Sequence, residues 1–94
     1  MQITRKIWVN GVFDVLHRGH IELFNFAKNQ GGYLTVGIDA DKRVKESKGE
    51  SRPVNNETDR KYFLEAIKYV DEVKIFNSDE QLSNIIKQYK PDCM

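Results

Sequence analysis

Asn10-Gly11-Val12-Phe13-Asp14-Val15-Leu16-His17-Arg18-Gly19-His20 is the stretch that decides how the chain is read. It follows Ile7-Trp8-Val9, a short apolar run that reads as a strand ended by an Asn-Gly turn. It leads into a helical stretch to about Gln30, which Gly31-Gly32 stops. Such a junction puts a helix N-terminus, with free N–H groups and a partial positive charge, at the carboxyl end of a strand. In open α/β sheets, ligands bind along that edge. His17 and His20 are spaced so that both imidazoles turn to one side of a first helical turn. Gly19 between them, and Gly11 at the strand end, leave the backbone open to close approach by a phosphate. Two imidazoles and a helix N-terminus can hold a triphosphate and stabilise charge as pyrophosphate departs.

Outward from this junction the chain alternates. Leu23, Phe24 and Ala27 share a face of the first helix, flanked by Ile21 and Phe26. Tyr33 to Ile38 is short and rich in β-formers, which predicts a strand. Asp39 to Glu46 reads as one or two helical turns with Asp39 as cap. Ser47 to Asn56 reads as a loop, and a loop of that length in a compact domain has a job. Asn56 caps a predicted helix from Glu57 to Tyr69, with Phe63, Leu64, Ile67 and Val70 on its buried face. Phe24, Tyr62, Phe63 and Tyr69 read as core or half-buried aromatics. Val73 to Phe76 is a third strand. Ser78 and Gln81 fit a capping box ahead of a helix striped with Leu82, Ile85, Ile86 and Tyr89, ended by Pro91. Asp92-Cys93-Met94 reads as the start of a fourth strand. The order β-α-β-α-α-β-α-β predicts a Rossmann-like open parallel sheet with helices on both faces. Residues 1–94 are expected to be one domain whose C-terminal part lies beyond Met94.

The bulk numbers narrow the partners. With 94 residues, 39% hydrophobic and 31% charged, the chain has the composition of a soluble domain. A net charge of +1 gives no argument for nucleic acid or an anionic membrane. No apolar run approaches a bilayer's thickness, and no signal peptide is recognised in Met1 to Lys6. The single cysteine, Cys93, reads as a small buried apolar residue and cannot form an intrachain disulfide, so a cytoplasmic setting is the default expectation.

The junction is not a Walker loop and not a dinucleotide fingerprint, since neither glycine pattern is present. A zinc site would need Asp14 and Cys93 to complete a histidine pair whose spacing is not the usual one. Phe13, Asp14, His17, Gly19 and His20 instead match F-D-x-x-H-x-G-H, and the chain resembles the cytidylyltransferase-like nucleotidyltransferases. A second stretch, Ser47 to Asn55 followed by Asp59-Arg60, resembles the heptose 1-phosphate adenylyltransferase branch. Glycerol-3-phosphate cytidylyltransferases resemble the first motif equally, and Tyr69 to Val73 resembles both groups. Against an aminoacyl-tRNA synthetase fragment stand the small size and low charge.

The resemblance implies a nucleotidyl transfer from a nucleoside triphosphate, ATP favoured, to a phosphorylated sugar or polyol, with Mg²⁺ and release of pyrophosphate. It implies that His17, His20 and Lys48 contact the phosphates as catalytic groups, and that Asn10, Gly11, Phe13, Asp14 and Gly19 belong to the nucleotide site. Asp14 is expected at the metal, and Arg52, from its charge and loop position, at the acceptor phosphate. The loop Ser47 to Asn56, whose sole apolar anchor is Val54, is expected to be mobile until triphosphate binds. Transfer with CTP to glycerol 3-phosphate, and a nucleotide-binding module without catalysis, are the alternatives. The oligomeric state, a homodimer included, stays open.

Overall fold

In a computed structural model, residues 5–92 are described. Three parallel strands, β1 (Arg5–Gly11), β2 (Gly32–Asp39) and β3 (Glu72–Phe76), lie side by side in that order. The helices between and after them are α1 (Arg18–Gly31), α2 (Asp41–Lys48), α3 (Glu57–Glu65) and α4 (Asp79–Tyr89). Register pairs Ile7 with Leu34, Val9 with Val36 and Val36 with Val73, so the strands' apolar positions fall on one face. Phe24 and Ala27 of α1 and Leu64 of α3 join them, with Val70, in the main core. Two successive crossovers in one direction, of the right-handed kind that parallel strands require, carry both helices to that face.

The opposite face belongs to α4. Trp8 points there, as alternation along β1 requires, and meets Tyr89 edge-on at 5.7 Å between ring centres. A Cβ on Gly37 would lie 2.3 Å from Trp8 Cζ2, so the indole lies flat on β2 only because residue 37 has no side chain.

Local signals hold where capping chemistry is local. Asn56 accepts from Asp59 N at 2.8 Å, and Gly32 ends α1 in the left-handed region at φ 98°. Elsewhere packing overrides them. Ala40, not Asp39, is the cap residue of α2, because the Asp39 carboxylate takes the Arg43 guanidinium at 2.6 Å. The Glu57 carboxylate, from α3, accepts from Asp41 N instead. Helix α3 ends at Glu65 rather than Tyr69. Bonds from Ile67 N to Leu64 O and from Val70 N to Ile67 O tighten the chain and swing Val70 into the core, where a straight helix would overshoot.

Leu23, Tyr62 and Phe63 are exposed, Tyr62 at 71%, because Phe24 and Leu64 beside them take the inward positions. Gln81 reaches Asn77 N at 2.6 Å, one residue earlier than a capping box specifies, while Ser78 accepts from Gln81 N as expected. At the free edge of β1, Asp92 N donates to Lys6 O at 2.7 Å and the Asp92 carboxylate accepts from Lys6 N. These two bonds dock Asp92, a bend rather than a strand residue, against β1; the expected fourth strand's Cys93 and Met94 lie outside the described residues.

Candidate functional site

At the carboxyl edge of the sheet lies an open cavity of about 510 Å³. It is lined by Val12, Phe13, Asp14, His20, Ser47, Lys48 and Arg52. Side chains expected at the phosphates, the metal and the acceptor therefore converge there from three segments: the turn after β1 with the first turn of α1, the last turn of α2 and the loop beyond it. His17 stands beside His20, outside the lining itself.

The histidine turn is built by reciprocal capping. His17 is the cap residue of α1, and its Nδ1 accepts from Gly19 N at 3.0 Å. His20 Nδ1 accepts from His17 N at 3.2 Å. Each bond requires an unprotonated Nδ1, which places the ring proton of the neutral imidazole on Nε2. The rings stack with centres 4.0 Å apart and 30° between planes. Burial, and then the neighbouring His17, push the His20 pKa below its usual 6.5. Two Nε2–H donors at a helix N-terminus suit an anion.

Gly19 serves this geometry in a way its expected role did not include. A Cβ there would stand 2.8 Å from His17 Cε1 and 3.0 Å from its Nδ1. The missing side chain is what lets the His17 imidazole fold back over the helix end. Phe13 sits in the left-handed region at φ 49°, a conformation that costs a non-glycine residue about 1–2 kcal/mol. Its ring meets His20 and Phe24 edge-on at 5.4 and 5.2 Å. Gly11 makes room for that ring, which lies 3.1 Å from where its Cβ would be. Neither Gly11 nor Asn10 lines the cavity, and Asn10 Oδ1 accepts from Trp8 Nε1 at 3.1 Å.

Asp14 acts chiefly on the chain itself. Its two oxygens accept from Val54 N and Asn55 N, both at 2.7 Å, and Asn55 Nδ2 donates to Asp14 O at 2.7 Å. Arg52 Nη1 stands 3.7 Å from the same carboxylate. Burial raises the Asp14 pKa, but the N–H bonds from Asn55 and Val54 and the charges of Arg60 and Arg52 outweigh it, leaving the group below the ordinary carboxylate value. The loop is therefore not free over Ser47 to Asn56. Ser47 and Lys48 belong to α2, and the returning arm is tied at Val54 and Asn55. Val54 anchors through its N–H, while the residue as a whole is 64% exposed. Gly49, at φ 99°, ends α2 by donating its N–H to Lys45 O at 2.9 Å and turns the chain by accepting from Arg52 N at 3.1 Å.

Sequence reading assigned no role to Arg60. The residue is 1% exposed, and its guanidinium donates to Val12 O, Asp39 O, Asn55 O and Asp41 Oδ1 at 2.7–3.0 Å. The one available signal was its place just after the Ser47–Asn55 stretch. A charged residue in the first turns of a helix otherwise reads as solvent-facing.

The family described as Cytidylyltransferase-like matches residues 8–94. A Campylobacter fetus protein named bifunctional protein HldE is 48% identical over 88 residues, covering 94% of this chain. Its namesake in Aliarcobacter butzleri is 45% identical over 85 residues, covering 90% of the chain. The chain spans only 19% and 18% of these two proteins' lengths. Among solved structures, a lipopolysaccharide core biosynthesis protein from Thermoplasma volcanium superposes with a TM-score of 0.82 at 27% identity. That match covers 94% of this chain and 70% of the other. Among the described residues, no helix is long and apolar enough to cross a membrane.

Proposed function

The chain belongs to the cytidylyltransferase-like family, and from that premise we propose that it carries the nucleotide site of a nucleotidyltransferase acting on a sugar phosphate. The observation that carries this reading is the stacked His17–His20 pair at the N-terminus of α1, whose His20 shares one cavity with Lys48 and Arg52. Likeness to the Thermoplasma lipopolysaccharide core biosynthesis protein favours a sugar as the acceptor's backbone. The Lys48 to Asn55 stretch favours ATP as donor.

An acceptor phosphate oxygen attacks the α-phosphorus in line. The new P–O bond forms as the bond from the α-phosphorus to the bridging oxygen breaks, and pyrophosphate leaves with the electron pair. Such a step needs positioning and charge stabilisation, and no covalent enzyme intermediate. His17 and His20 direct their Nε2–H donors, together with the helix N-terminus, at the phosphates as charge accumulates. Lys48 adds a point charge from the opposite side, and Arg52 offers a planar fork to the acceptor phosphate.

Mg²⁺ characteristically takes one or two carboxylates plus substrate phosphates. Asp14, ionised and with one lone pair left on each oxygen, fits as a single protein ligand for an ion that arrives with the triphosphate. Bound there, the ion would neutralise phosphate charge.

Pyrophosphate release by the protein that carries this chain, assayed with ATP or CTP against sugar 1-phosphates and glycerol 3-phosphate, tests the reading. Turnover with ATP and a sugar 1-phosphate is expected. Preference for CTP and glycerol 3-phosphate would move the chain to the other branch, and triphosphate binding without release would make it a binding module.

A further inference from the structure

Arg60 makes four hydrogen bonds, three of them to segments that build the site and one to the end of β2. Val12 O belongs to the turn that leads into Phe13 and the histidines. Asn55 O belongs to the arm that Asp14 holds and that carries Arg52. Asp41 opens α2, whose last turn carries Lys48. Asp39 O ends β2. Arg60 itself does not line the cavity.

We propose that Arg60 is a positioning residue for nucleotidyl transfer: one buried guanidinium sets the spacing between the histidine turn and the Lys48–Arg52 side of the cavity. The inference rests on the function proposed above. The planar fork is what the task needs. Three backbone carbonyls and a carboxylate, on separate segments, converge on one side chain. A lysine ammonium offers three donors from a single nitrogen and cannot span four acceptors in fixed directions. An apolar residue would leave buried carbonyls unpaired, and the segments would part to admit water. Either replacement lets the two sides of the cavity drift. A displacement of about 1 Å at a reacting centre costs as much as about 100-fold in rate.

The test compares wild type, Arg60→Lys and Asp41→Ala in the full protein, with MgATP and the sugar 1-phosphate it uses. Arg60→Lys is expected to unfold cooperatively but to lose about tenfold or more in kcat, with a smaller change in nucleotide KM. Amide exchange at Val54 and Asn55 is expected to accelerate, while amides of Asp79–Tyr89 in α4 stay unchanged. Asp41→Ala removes the one side-chain acceptor and keeps the three carbonyls. It is expected to raise the KM for ATP about threefold, with a lower thermal midpoint but a transition that stays cooperative.

A folded Arg60→Lys with wild-type kcat and wild-type exchange at Val54 and Asn55 overturns the proposal. Should Arg60→Lys not fold, an unchanged KM in Asp41→Ala overturns it. Should wild type release no pyrophosphate with any acceptor, the proposed function falls and this inference falls with it. Active wild type with an unperturbed Arg60→Lys sinks the inference alone.

Discussion

Replacing Gly19 by alanine separates the site's chemistry from the chain's stability. A new Cβ 2.8 Å from His17 Cε1 forces the imidazole off the helix end. The bond from Gly19 N to His17 Nδ1 is lost, and with it the stacking against His20 at 4.0 Å. Losing a cap costs about 0.5–2 kcal/mol. Alanine in place of a helical glycine returns about 0.5–1 kcal/mol. The net change is a loss of about 1.5 kcal/mol at most, a thermal shift of no more than about 6–12 °C for a domain of this size. The chemistry has no such compensation. A donor moved away from developing charge costs about 2.7–4 kcal/mol, or about 100-fold to 1,000-fold in kcat. Pyrophosphate release under saturating MgATP and sugar 1-phosphate, beside thermal unfolding of the same samples, measures both quantities. Turnover within about threefold of wild type, in a variant that unfolds normally, would refute the assignment of His17 as a phosphate donor in its capped position.

Three further outcomes follow from the geometry. Because the folded-state pKa of His20 is depressed, its contribution to stability is fully present above the usual 6.5 and is lost as pH falls through the lowered value; urea titrations from neutral to mildly acidic pH should show this decline, and a flat profile would contradict it. Gly37→Ala places a Cβ 2.3 Å from Trp8 Cζ2 and should destabilise by about 1–3 kcal/mol, read as a lower midpoint in thermal unfolding; an unchanged midpoint would mean that the indole has room to move. In hydrogen exchange, the Val54 and Asn55 amides should be protected without ligand, whereas the Glu50 and Ser51 amides between the bonds at Gly49 and Arg52 should gain protection only with MgATP; uniform fast exchange across both parts would restore the fully mobile loop.

Much of the candidate site was legible before the fold was known. The histidine turn reads directly because its spacing, its glycines and its place between a strand and a helix are all features of consecutive residues. Lys48 and Arg52 were identifiable by motif and charge, although Lys48 was expected on a loop and stands on a helix. Asp14 was read as a ligand residue, yet much of its bonding capacity goes to Val54 and Asn55, about forty residues along the chain. Gly19 was read as space for a phosphate, and the space is filled first by the neighbouring imidazole.

By itself the sequence determined the parallel α/β alternation, the caps at Asn56 and Ser78, the stop at Gly31-Gly32 and the placing of the histidine turn at the end of β1. These depend on backbone preference and on side chains a few residues apart, so they are written locally. Tertiary structure alone decided which of two adjacent apolar residues faces inward at Leu23-Phe24 and Phe63-Leu64. It also decided that Asp39 pairs with Arg43 rather than capping α2, and that Arg60 is buried against four segments. A polar group takes whichever partner close packing brings within about 3 Å once water is excluded, and that partner is chosen by the fold rather than by the neighbouring residues.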